Sequence, residues 1–256
     1  MTSSVAVAAW LAAAGALAGV VGTAGGITSL VSYPALHAAG LPPLQANVVN
    51  LVAASACWPG SALASRVELA GAGAWLARGL PVAAAGASTG AFLLLSTPPG
   101  LFTQLVPVLV AAGSLALVAS PALVALRARG HHHGARPDPP RLTLPGVGLL
   151  SIYGGYFGAG SGIMLLTLVL VLLEPQLPTA NALKNMLLGA TSVASASILV
   201  LAGPVDWSAV APLAAGMLAG STVGPVLTRR VPAHLVRWTA AALGLLLAVQ
   251  LWLFPA

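Results

Sequence analysis

Charge is the scarcest thing in this chain. Asp, Glu, Lys and Arg together make up 5% of its 256 residues, where an ordinary soluble domain carries about 25%. Such a chain cannot clothe a water-facing surface, which excludes a cytosolic enzyme, a nucleic-acid module and a disordered polymer. Four carboxylates in all leave no paired-acid site. No metal-ligand spacing, no nucleophile–base–acid set and no lysine-bearing phosphate loop is present, so a membrane-embedded enzyme is a weak reading and no cofactor is expected. The one cysteine, Cys57, rules out an intramolecular disulfide and reads as a small buried hydrophobe. The segment before the first apolar run has no Lys or Arg, so it lacks the basic region of a secretory signal. It is expected to belong to the mature protein.

Apolar residues are what the chain has instead, 58% of the total. A bilayer core needs about 20 of them per helix. Six runs meet this, at roughly 47–65, 75–95, 101–126, 180–202, 207–228 and 234–254. Pro59, between Trp58 and Gly60, is expected to kink the first of these.

Two further stretches are too long and too broken for one helix. The first runs from Val5 to Ala39 and is interrupted at Gly22-Thr23-Ala24-Gly25-Gly26. The second runs from Leu142 to Leu173 and is interrupted between Gly154 and Gly162. Glycine at this density disfavours continuous helix. Non-helical backbone at membrane depth survives only inside protein or beside a polar cavity. Both stretches therefore read as helical hairpins that enter and leave on one side, against the alternative of a kinked full span.

The net charge is +6, and its distribution argues for orientation in a bilayer rather than for a nucleic-acid partner. Arg66 and Arg78 flank one loop. Arg127, Arg129, Arg136 and Arg141 lie in a central loop with His131, His132 and His133, and Arg229, Arg230 and Arg237 precede the last run. If the broken stretches are re-entrant, all three loops fall on the cytoplasmic side, as the positive-inside rule prefers, and both termini face out.

The halves echo each other. Gly22 to Ile27 matches Gly158 to Ile163, Ala46-Asn47 matches Ala180-Asn181, and Gly86 and Gly90 match Gly216 and Gly220. Pro98 matches Pro232, and Gly113 matches Gly244. The expected architecture is an all-α polytopic membrane protein of two repeats, residues 1–126 and 142–256, joined by a basic linker at 127–141. Each repeat holds one hairpin and three crossings. Three is odd, so the repeats are inverted relative to each other, the usual plan of secondary transporters.

Polar residues inside apolar runs are the functional candidates. Lys184, the only lysine, reads either as a cation that attracts an anionic substrate or as a side chain that snorkels to the headgroups. Asn181 and Asn185 share its helix face by spacing. Asn47 and Asn50 repeat the pattern in the first half and read either as site residues or as interhelical glue. The glycine-rich tips at Gly25, Gly26, Gly160, Ser161 and Gly162 complete the set. A half-helix starting there turns backbone N–H groups and a positive dipole end inward, which makes an anion site without a charged side chain. Tight packing of small residues is the plainer alternative. Asp206 reads as a helix N-cap, and the Gly-xxx-Gly runs read as packing motifs.

At these motifs the sequence resembles the TauE/SafE family of sulfite exporters and related anion permeases. The second half carries it: Tyr153 to Gly162, Ala180 to Asn185, and Gly203-Pro204-Val205-Asp206-Trp207. Gly25, Gly26, Pro34 and Asn47 resemble the family's first half, with a less glycine-rich tip. The resemblance spans nearly the whole chain. It implies a multi-pass permease of the bacterial inner membrane for sulfite, sulfonates or other small sulfur-containing or organic anions. A proton or sodium ion would be the coupling partner, and a homo-oligomer stays open.

Overall fold

The structure is a computed structural model that describes residues 2–130 and 140–228. Its regular elements are all α-helices. They are α1 (Thr2–Gly25), α2 (Thr28–Ala38), α3 (Pro43–Ala54), α4 (Cys57–Ala64) and α5 (Gly73–Ser96), then α6 (Pro99–Gly130), α7 (Pro140–Tyr156), α8 (Ser161–Leu172), α9 (Leu177–Ala202) and α10 (Trp207–Thr228). Among the described residues, α1, α5, α9 and α10 are long and apolar enough to cross a membrane.

Both glycine clusters break the helix where the sequence places the interruption. Gly26 has φ +79°, and Gly158 and Gly160 have φ +81° and +77°. L side chains rarely adopt that left-handed backbone. The chain then turns back. Trp10 on α1 donates its Nε1 hydrogen to the Ala35 carbonyl of α2 at 3.1 Å, although a straight helix would hold these residues about 37 Å apart. A Cβ on Gly146 of α7 would lie 2.9 Å from the Leu168 side chain of α8, a pair that a straight helix would separate by about 33 Å. The two broken stretches are hairpins rather than kinked rods. They are unequal, because α1 has 24 residues and α7 has 17. The first arm of the first hairpin is long enough to cross a bilayer by itself.

Other elements differ from expectation for local reasons. The run at 47–65 is two helices, α3 and α4, parted at Ser55 and Ala56. Pro59 has no N–H for the Ser55 carbonyl and its ring crowds that oxygen, so the helix stops four residues before the proline. Helix α6 continues through Gly130, which puts Arg127 and Arg129 on helix rather than in the loop. His131 to His133, Arg136, Arg229, Arg230, Arg237 and the run expected at 234–254 lie outside the described residues. Asp206 is the expected N-cap of α10, its Oδ1 accepting from the Ser208 N–H at 3.0 Å.

Backbone-to-backbone packing assembles the helices. A Cβ on Gly216 or Gly220 of α10 would strike the Ala12 or Ala16 carbonyl of α1, and one on Gly90 or Gly155 would strike the Ile152 carbonyl of α7 or the Ala87 carbonyl of α5. Small residues at such crossings let helices approach where lipid offers no hydrophobic drive. The exchange is reciprocal: the first arm of each hairpin lies on a long helix of the other half.

Candidate functional site

The two hairpin tips meet. A Cβ on Gly26 would overlap the Gly162 main chain, and a Cβ on Gly162 would overlap that of Gly26, so each half presents bare backbone to the other. Tyr153 OH reaches the Ala159 carbonyl at 2.6 Å and the Leu109 carbonyl at 3.1 Å, which pins the second break to α6.

Beside the tips lies a cavity of about 50 Å³. At about 10–15 Å³ per water on this scale, it admits a few waters or one small oxyanion. Its walls come from several helices and the breaks between them. Gly22 and Thr23 end α1, and Gly26, Thr28 and Ser29 open α2. Gly158, Ser161 and Gly162 open α8, while α4 and α9 supply Cys57, Trp58, Ser61, Asn185, Gly189, Thr191 and Ser192. None of the lining residues is an acid, a lysine, an arginine or a histidine.

Helix ends decide the electrostatics. The first N–H groups of a helix have no intrahelical acceptor and its last carbonyls no donor, so the ends carry partial positive and negative charge. Helices α2 and α8 both start at the cavity, and neither N-terminus has a side-chain cap. Helix α1 ends there and turns its carbonyls toward the same space. Those carbonyls are covered from α9. Asn181, Lys184 and Asn185, spaced i, i+3 and i+4, form one buried face. Lys184 Nζ donates to the Gly22 carbonyl at 3.1 Å and the Thr23 carbonyl at 3.4 Å. Asn181 and Asn185 each donate an amide hydrogen to the Thr23 carbonyl, at 2.9 and 3.0 Å.

The first half does this with one residue. Asn47 Nδ2 donates to the Tyr156 carbonyl at the end of α7, at 2.9 Å. Asn50 turns to its own half instead, donating to Ser29 Oγ at 2.9 Å and accepting from Ser32 Oγ.

The candidates named from sequence therefore fall into three groups. Gly26, Ser161, Gly162 and Asn185 line the cavity. Gly25 and Gly160 sit at the breaks, and Gly160 is the residue before α8, so Gly162 already lies in its first turn. Asn47, Asn50, Asn181 and Lys184 stand behind the wall, each bonded to protein. Sequence reasoning missed Trp58, Thr191 and Ser192 as lining residues. Trp58 registers there only as the neighbour of Pro59, and the hydroxyls of α9 look like any others in an apolar run.

The sulfite exporter TauE/SafE family matches residues 7–251. A probable membrane transporter protein of Haemophilus influenzae is 26% identical over 217 residues, covering 81% of this chain and 80% of the relative. A probable membrane transporter protein, ORF9, of a Sinorhizobium species is 26% identical over 250 residues, covering 96% and 93%. No solved structure matches the chain. A family match over nearly the full length, on a bundle of apolar helices with a polar hollow at its hairpin tips, places the protein: it is a multi-pass membrane protein and belongs to the sulfite exporter TauE/SafE family of membrane transporters.

Proposed function

We propose that the chain carries a small sulfur-containing or organic oxyanion, sulfite or a sulfonate, across the bacterial plasma membrane by alternating access, with the anion held in the cavity between the hairpin tips. One observation carries this reading. Two uncapped helix N-termini open on the cavity, while the opposing carbonyl end of α1 is covered by hydrogen-bond donors, the Lys184 amino group and two amides. The balance of partial charge at the cavity is positive, with no carboxylate in its lining. Lys184 serves the anion through α1, by cancelling the negative end of that helix.

The two hairpins re-enter the bilayer from opposite faces, and the two halves form inverted repeats that rock about the meeting point of Gly26 and Gly162. The exchange of α1 onto α10 and of α7 onto α5 supports this pairing. The drive is an ion or substrate gradient, with a proton or sodium as the coupling ion.

Purified protein in proteoliposomes tests the reading. Uptake of sulfite with strong counterflow is the expected result. Flux without counterflow would make the protein an anion pore, and chemical conversion of the anion without uptake would make it an enzyme.

A further inference from the structure

One residue of the cavity wall carries a donor that meets no acceptor among the described residues. Trp58 stands in the first turn of α4 and lines the cavity. Its ring lies against α9 where Gly189 has no side chain. A Cβ on Gly189 would fall on the indole Cδ1 and Cγ and 2.5 Å from Nε1. The Nε1 atom is buried and meets no acceptor among the described residues. An indole N–H only donates, and a buried donor left unpaired forfeits its hydration without return.

The neighbouring hydroxyls sharpen this. Thr23 donates to the Gly19 carbonyl at 2.6 Å and Ser161 to the Gly158 carbonyl at 2.8 Å. Ser61 donates to the Trp58 carbonyl at 3.1 Å and Thr191 to Ser151 Oγ at 3.2 Å. A hydroxyl has one hydrogen, so these four lining groups have spent theirs on protein oxygens. The Trp58 hydrogen has no such acceptor among the described residues.

We propose that the Trp58 indole N–H is a direct donor to an oxygen of the transported oxyanion, and that Gly189 leaves the gap in which the ring lies at that wall. The proposal rests on the reading of the cavity as the anion site and adds a ligand to it. The donor is neutral and has no acceptor capacity, so it selects for acceptor-only groups such as sulfite and sulfonate oxygens. It adds nothing for a group that can only donate, such as an ammonium.

The test is sulfite titration of the purified full-length protein, with Trp58→Phe and Gly189→Ala beside the wild type and the melting temperature without sulfite recorded for each. Trp58→Phe keeps an aromatic ring, a smaller one, and deletes the N–H. It should bind sulfite at least about tenfold more weakly, the range for a hydrogen bond to a charged group. Gly189→Ala displaces the indole with its N–H intact and should weaken sulfite in the same direction, which keeps the test decisive should the phenylalanine variant not fold. Sulfite affinity within twofold of wild type in either folded variant overturns the proposal and leaves the anion-site reading standing. A wild type that binds neither sulfite nor any of sulfate, thiosulfate or a short sulfonate overturns both.

Discussion

Lys184 lies inside the bundle with main-chain carbonyls as its partners among the described residues. Lys184→Met removes the amino group at similar length. The Gly22 carbonyl then loses its side-chain donor, and the negative end of α1 reaches the cavity unscreened. Loss of a buried donor from these carbonyls predicts about 2 kcal/mol less stability, read as a lower melting temperature, and about tenfold weaker sulfite binding in titration. Sulfite affinity equal to wild type would remove Lys184 from the anion's surroundings. Gly26→Ala tests the tip. Its φ of +79° costs a residue with Cβ about 1–2 kcal/mol, and that Cβ meets the Gly162 backbone. The variant should insert into membranes and fail to transport in a vesicle uptake assay. Uptake at the wild-type rate would mean that the tips need not touch. At this scale, composition marks Lys184 and the asparagines, because polar atoms in an apolar run are conspicuous. The partners of Asn181, Lys184 and Asn185 lie 158 to 162 residues away and that of Asn47 109 residues away, all in the other half, whereas those of Asn50 lie in its own, so spacing alone leaves open whether Lys184 meets substrate, lipid or backbone.

Helices are where local chemistry speaks most clearly. The runs at 75–95, 180–202 and 207–228 appear as α5, α9 and α10 within a few residues, because length and hydropathy are enough to define a span. The run at 47–65 divides because a proline disables a carbonyl one turn earlier, an effect legible at Pro59 as a kink but fully expressed as a break. The glycine stripes are the other element-scale feature. A methyl added to Gly220 would press on the Ala16 carbonyl, whereas one added to Gly100, which faces open space, would meet nothing. Overpacking a close crossing costs about 1–3 kcal/mol. Thermal melts in detergent should therefore show Gly220→Ala destabilised and Gly100→Ala unchanged, and equal melting temperatures would mean that α1 and α10 are not held by close approach.

The whole molecule is organised by exchange between its halves. Each hairpin's first arm packs on the other half, and each tip meets the other tip. If both hairpins return to the side they enter, the N-terminus and the end of α6 face opposite sides of the membrane. Single cysteines at Ser3 and Gly130, in a Cys57→Ser background, should respond oppositely to an impermeant thiol reagent added from outside: Ser3 labelled and Gly130 protected. Labelling of both, or of neither, contradicts the arrangement.

Membrane class, most of the helices and both chain breaks follow from the sequence alone, since hydropathy and glycine content act on the backbone within a few residues of themselves. The turning back of the broken stretches, the covering of α1 by α9 and the spare donor of Trp58 were decided only in the tertiary structure. Each depends on which distant carbonyl or glycine a side chain meets, and contacts of that kind are set by how the helices pack together rather than by any one of them.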